Sequence, residues 1–436
     1  MLKFVFLLFL TSSGAHASVT LFDKDDWKFQ TSGFIEMDAL NDSTRSLTEV
    51  AGNAPIDISP SYAGDNGRTM FSIRNSRLAF SATAPVQNNW KSRGYLEFDL
   101  LGYDPTPSAT APSNSESSFF SNATMRIRHA YIAAETENWQ IFAGQYWTLF
   151  GWDPIYVLTT ASVPPVSGVL YERTPQITGI HSCNISETAK LQLGFSVSRP
   201  SQRDSSVPNL DAGARISFAS RRAGFVAPSS DFKAEPMSFA ISGTGRQFVV
   251  PNAFGSTGDS NRLTGGGLAI DAMIPVIASS NEKEYGNTLS ISGEFTSGSG
   301  YGDQFPGWTG NLAQTVSTKN STAPNLDAGQ GGVDTSGNFQ LVRLQSLNGQ
   351  LQYHFPQGYE TFATAGYGQV ASNNISQLVP STKVVYDRSE TYFVNIFHDF
   401  TKQLRIAAEY DRFLTHYVTS DYPGENRFQI SGWFRF

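Results

Sequence analysis

Apolar and polar side chains alternate with a period of two along most of this chain. Met125, Ile127, Tyr131 and Ala133 form one series and Thr124, Arg126, Arg128 and Ala130 the other, the spacing of a half-buried strand. A polar turn, Glu135 to Asn138, leads to a second strand in which Trp139, Ile141 and Ala143 oppose Gln140, Phe142 and Gly144. This hairpin is tightly closed at one end. At the other it opens, through Gly151-Trp152-Asp153-Pro154, into an irregular segment reaching Leu170.

The rhythm recurs on both sides. Trp27 to Leu40, Met70 to Thr83 and Trp90 to Leu101 precede the hairpin. Glu172 to Ser182, Leu191 to Ser198, Ala212 to Ala219, Met237 to Gly245, Thr264 to Ile274 and Leu289 to Ser299 follow it. Phe339 to Phe355, Tyr359 to Val370, Glu390 to Phe400, Lys402 to Leu414 and Arg427 to Phe436 complete a set of roughly sixteen, an even number as bacterial membrane barrels have. Short turns alternate with long loops rich in Gly, Asn, Ser and Pro, such as 41–67 and 102–121. Ser220 to Pro236 breaks the rhythm, because it is long for a turn on the short side.

Alternation alone also suits a soluble sandwich. Three features favour an all-β transmembrane antiparallel barrel: the alternation of short and long connections, aromatic residues at strand ends (Trp27, Trp90, Trp139, Trp147, Tyr417), and the final strand FQISGWFRF, with Phe428, Ile430, Phe434 and Phe436 on one face. In lipid no strand edge is left unpaired, which forces closure. A closed sheet of this size leaves an interior too wide for its own side chains to fill.

Composition fits that reading. Aromatic residues make up 13% and charged residues 16%, and the single Cys183 excludes an internal disulfide framework. The net charge of −7, without a basic run, argues against a nucleic-acid partner. Residues 1–17 read as an export signal, with Lys3, an apolar run from Phe4 to Leu10, and Ala15-His16-Ala17 as the cleavage site. Residues 18–26 are then a short periplasmic leader and 27–436 the barrel. No later stretch is apolar for long enough to be a transmembrane helix.

NSRLAFSATAP (Asn75 to Pro85), followed after a turn by YLEFDL (Tyr95 to Leu100), resembles the second and third strands of general trimeric porins. RIRHAYIAAE (Arg126 to Glu135), FAGQYWTLF (Phe142 to Phe150) and YERTPQI (Tyr171 to Ile177) are similar to the corresponding segments of DcaP-like porins, a branch associated with dicarboxylates and other anionic solutes. The likeness covers about Arg74 to Ile177 and the last strand. It implies a homotrimer of sixteen-stranded barrels in the Gram-negative outer membrane, in contact with lipid and lipopolysaccharide, termini in the periplasm, and a third extracellular loop folded inward. Some relatives carry an N-terminal coiled coil. Val19 to Asp26 is too short for one, so trimerisation would rest on the barrel walls.

Parity places Lys91, Arg93, Arg126, Arg128, Arg215, Arg405, Arg427 and Arg435 on the lumen face, with Arg77 if Leu78 and Phe80 face lipid. Arg74 shares that face only through a bulge. Avoidance of lipid explains lumenal arginines cheaply. A functional cluster is the alternative: Arg77, Arg93, Arg126 and Arg128 form a basic wall opposite the inward loop, where Asp153 and Glu172 supply negative charge and Arg173 is a further candidate. Guanidinium forks suit carboxylates, so a modest anion preference is expected. Glu36, Asp38, Glu97, Asp99, Glu294, Glu409 and Asp411 also face inward and oppose a simple charge count. His129 is expected on the outer face. His181 with Cys183 is too small a set for a metal site, and Gly265-Gly266-Gly267 reads as close wall packing.

No nucleophile elbow or paired-carboxylate arrangement appears, so no enzyme and no cofactor are expected. The expected function is passive diffusion of small hydrophilic solutes. A structural or adhesive barrel with partner-binding loops is the alternative.

Overall fold

The computed structural model describes residues 18–102, 123–163, 166–203, 205–251, 260–279, 281–312, 325–334, 336–378 and 384–436. The export signal and nearly all of the 102–121 loop lie outside them.

The strands are β1 (Val19–Lys24), β2 (Trp27–Asp42), β3 (Arg68–Ser72), β4 (Arg77–Thr83), β5 (Lys91–Gly102), β6 (Thr124–Glu135) and β7 (Trp139–Trp147). Next come β8 (Arg173–Asn184), β9 (Ala189–Ser198), β10 (Asn209–Gly224), β11 (Ala234–Pro251), β12 (Ser260–Ile277) and β13 (Thr288–Ser299). A small ribbon, β14 (Gly331–Val333) with β15 (Phe339–Leu341), stands apart from the main sheet. The wall resumes with β16 (Arg343–His354), β17 (Thr361–Ser372), β18 (Tyr386–Asp399), β19 (Leu404–Tyr417) and β20 (Gly424–Arg435).

Neighbouring wall strands pair antiparallel in chain order, and β20 pairs back onto β2, from Phe34 opposite Arg435 to Asp42 opposite Arg427. The sheet is therefore a closed barrel. With β3 and β4 counted as the two halves of one interrupted strand, sixteen strands make the wall. The leader segment is itself a strand: β1 folds back on the start of β2 and continues the line of the last strand beyond Phe436, whose backbone exchanges hydrogen bonds with Gly33.

The outer face carries large apolar side chains that a soluble protein would bury. Ile35, Leu78, Phe80, Ile177, Phe195, Ile270, Phe295, Val394, Phe428 and Phe434 are all exposed. Polar residues of the same strands point inward and are buried. That inversion is the surface of a protein that spans a membrane with strands. No helix among the described residues is long and apolar enough to cross one. Of the aromatics expected at an interface, Trp27 and Trp139 are exposed, while Trp147 and Tyr417 are buried in the lumen.

Two irregularities decide which side chains enter the lumen. Between β3 and β4, Ile73 to Ser76 form a bend in which four residues face three of β2, so Arg74 and Arg77 both point inward, as the expected bulge requires. In β6, Glu97 opposes His129 and Phe98 opposes Ile127, so Arg128 is an extra residue. A bulge places two consecutive side chains on one face and reverses parity beyond it. Arg128 and His129 are consequently both buried inside, and Tyr131 and Ala133 turn inward while Ile132 faces out. Met125 and Ile127 share a face with neither, and His129 is not on the outer wall.

Candidate functional site

The segment after β7, Thr148 to Val163 and again Val166 to Leu170, leaves the wall and runs inside the barrel. Its course is set by backbone groups that find lumenal side chains, since a buried loop must satisfy its own N–H and C=O groups. Gly151 N–H donates to Ser242 Oγ (2.8 Å), Thr159 N–H to Gln350 Oε1 (2.8 Å), and Ala161 and Ser162 N–H to the two carboxylate oxygens of Glu409 (2.6 and 2.8 Å). The loop thus follows the inner wall from β11 past β16 to β19. The 43–67 loop braces it: Gly168 N–H donates to Asn53 Oδ1 (3.0 Å) and Ala51 N–H to Val163 O (3.2 Å).

Gly168 has φ +77°, and a Cβ there would collide with the Gln369 carbonyl. Gly168→Val is expected to unseat the loop and destabilise the barrel by about 1 to 3 kcal/mol, read by urea unfolding in detergent.

Opposite this loop stands the basic wall. Arg128 donates to Glu97 Oε1 (2.7 Å) and Asp99 Oδ2 (3.0 Å), and Arg126 holds Asp99 with both Nε (3.0 Å) and Nη2 (2.5 Å). Their charges are largely spent on the same wall. Arg77 approaches Glu97 only to 3.9 Å, and its guanidinium stands 5.0 Å over the Phe34 ring. Arg173 lies against the Trp147 and Tyr171 rings (4.9 and 5.5 Å). Arg93 sits nearer the short turns, 3.5 Å from Glu135 and donating to Tyr131 Oη (3.2 Å), so it does not join the others. His129 fills the gap behind them, its ring 5.1 Å from Tyr146 and its Nε2 3.7 Å from Glu97.

The loop-side acids lie elsewhere. Asp153 is buried beside Glu294 and Glu172; burial first, then these two carboxylates, push its proton affinity well above the usual range. Glu172 lines a polar cavity of about 340 Å³ with Arg246 and Asp303, and burial followed by Asp303 pushes it up to about 8. Glu172 therefore keeps a proton at neutral pH and does not supply the opposing negative charge, and burial disfavours the charged form of Asp153 as well. At neutral pH the folded state holds a proton on Glu172 that the unfolded chain has already released, so stability should decline as pH rises toward 8; urea unfolding in detergent across about pH 6 to 9 measures the decline, and Glu172→Gln should flatten it.

Between loop and wall lies a chamber of about 190 Å³ lined by Arg77, Arg128 and Arg215, by the carboxylates Glu36 and Glu235, and by Trp147, Tyr171 and Trp433. Arg215 donates to Gln192 Oε1 (2.8 Å) and Tyr156 Oη (3.3 Å), and among the described residues no carboxylate lies within ion-pair distance of it. Parity had placed Arg215 in the lumen, but its distance along the chain from the other arginines hid its place at this chamber. No group of metal-ligating side chains occurs among the described residues.

The chain therefore folds as a closed sixteen-strand antiparallel membrane barrel with an apolar outer face and a loop in the lumen. Among solved structures the chain is similar to the outer membrane channel DcaP of Acinetobacter baumannii, at 16% identity and a TM-score of 0.65 over 96% of this chain and all of that one. It is also similar to OprB of Pseudomonas putida, at 10% identity and a TM-score of 0.50 over 93% of this chain and 94% of that one. No family model matches the chain, and no curated protein matches it by sequence.

Proposed function

We propose that this protein is an outer-membrane diffusion channel for small hydrophilic solutes, with a preference for anions such as carboxylates. The observation that carries the reading is the chamber itself, a lumenal space bounded by the inward loop and by Arg77, Arg128 and Arg215, in which Arg77 reaches Glu97 only at 3.9 Å and Arg215 has no carboxylate within ion-pair distance among the described residues. A passing carboxylate supplies what those guanidinium groups lack, and water on the path keeps the contact weak enough for release. Arg126 and Arg128 act differently. Bound to Asp99 and Glu97, they shape the wall, and the selective charge falls to Arg77 and Arg215, with Arg173 behind them.

In this reading residues 1–17 direct export, the short turns face the periplasm, and three copies associate through their barrel walls. No cofactor or energy source enters. Reversal potentials of the purified protein in a salt gradient test it: anion preference is expected, and cation preference overturns that part. A structural or adhesive barrel would leave liposome swelling unaccelerated by sugars and small acids, whereas a channel accelerates it.

A further inference from the structure

The connection between β10 and β11 does not stay at the rim. Phe218 opposes Met237 but Arg222 opposes Pro236, so three extra residues bend β10 away from the wall. Beyond them Ala223 and Gly224 pair with Glu235 and Ala234 as a narrow ribbon, closed by Phe225 N–H to Lys233 O (3.1 Å). The ribbon passes so close to His354 that a Cβ on Gly224 would enter its ring.

The turn then crosses the lumen. Val226 is fully buried, its N–H donating to Gln352 Oε1 on β16 (2.7 Å) and its C=O accepting from Thr159 Oγ1 of the inward loop (2.9 Å). Phe232 packs edge-on against Phe362 of β17, with ring centres 5.7 Å apart. Farther on, Arg405 Nη1 on β19 donates to three turn carbonyls, Ala227 (3.3 Å), Pro228 (2.7 Å) and Ser230 (3.0 Å), and Arg435 Nη1 on β20 donates to Ser230 O (3.0 Å). Asp399 takes two bonds from Arg405 and one from Arg435, which holds the pair of guanidinium groups in register. Eight steps around the wall separate β10 from β20, half of sixteen, so the turn reaches the opposite side.

We infer that the 225–233 turn is a second constriction of the channel, at the short-turn end, and that it rather than the inward loop closes the chamber on that side and sets the size of solute that leaves. Its Ser229, Ser230 and Lys233 line the chamber together with Arg77 and Arg128. The inference rests on the channel reading, and the two are separable by experiment. The buried clamp explains why a surface turn would carry Pro228 and two apolar anchors: the carbonyls of Ala227, Pro228 and Ser230 meet arginines, that of Val226 meets Thr159, and the apolar residues fill the lumenal layer with Phe34, Phe397 and Trp433.

The test compares the native chain with two variants in planar bilayers and in liposome swelling. One has Val226 to Lys233 replaced by Asn-Gly, and the other is Ser229→Trp. Folding is verified by the mobility of unheated protein in detergent gels. Shortening is expected to raise conductance at least about twofold and admit larger sugars, and Ser229→Trp to lower conductance by about half. Unchanged conductance in either folded variant beside a conducting native channel overturns the second constriction and leaves the channel reading intact. If the native chain is silent and the shortened one conducts, the turn is a plug and the inference stands. If both are silent, the channel reading falls and takes the inference with it. Should the shortened variant not fold, Ser229→Trp alone decides.

Discussion

Replacing Arg77 and Arg215 together by glutamine should lower the anion-to-cation permeability ratio by about tenfold, the largest selectivity change available in this lumen. A unit charge about 8 Å from a passing ion, in an effective dielectric of about 40, changes its energy by about 1 kcal/mol, roughly fivefold per site before screening by salt reduces the product. Both are less tightly paired than Arg126: Arg77 stands 3.9 Å from a carboxylate already bonded to Arg128, and the side-chain bonds of Arg215 go to neutral groups. The matched control is Arg126→Gln, whose charge is held by Asp99 at 2.5 Å and whose loss should move the ratio far less. Reversal potentials in a tenfold salt gradient decide it. An equal effect from both variants would mean that charge anywhere on the wall counts alike.

Loss of Glu97 should be the most damaging single change to the barrel. This carboxylate accepts from Arg128 Nε (2.7 Å) and from Tyr95 Oη (2.9 Å), and it lies within ion-pair reach of Arg77 and His129. Removing one partner of a buried pair leaves the other uncompensated, at a cost of about 3 to 5 kcal/mol; water in the lumen brings the expected figure for Glu97→Ala to the lower end, about 3 kcal/mol. Arg128 is 1% exposed and then keeps Asp99 as its one bonded carboxylate among the described residues. Urea unfolding in detergent measures the loss. Arg128→Met in the Glu97→Ala background should recover a good part of it, because the stranded charge is then gone. A single variant as stable as the native chain would show the network to be dispensable.

The period of two was enough to place every wall strand, because side chains must alternate between lipid and lumen and each miss exposes a charge to hydrocarbon. The long irregular stretch after the Thr124 to Trp147 hairpin was legible for a related reason, since it had no place in the wall, but its inward fold was only what the family resemblance implied. The faces within that hairpin were not legible. One extra residue at Arg128 reverses everything after it, and nothing in the spacing of Arg126, Arg128 and His129 marks where the ladder slips. The arginine wall was similarly half-read. Parity put the arginines inside, but whether each is free or bound depends on a carboxylate on a neighbouring strand, and register between strands is a property of the sheet.

The oddly long Ser220 to Pro236 segment shows the division most clearly. By itself the sequence determined that the chain alternates as about sixteen strands, with connections and strand ends that favour a membrane barrel over a sandwich, and that this one connection is too long, since these follow from local alternation and spacing against a two-sided environment. Only the tertiary structure decided where the extra length goes, that Arg405 and Arg435 from the far wall hold it across the lumen, and that Arg77 and Arg215, about 140 residues apart in the chain, border one chamber. Those facts depend on closure, which brings distant strands face to face across a space that no local pattern encodes.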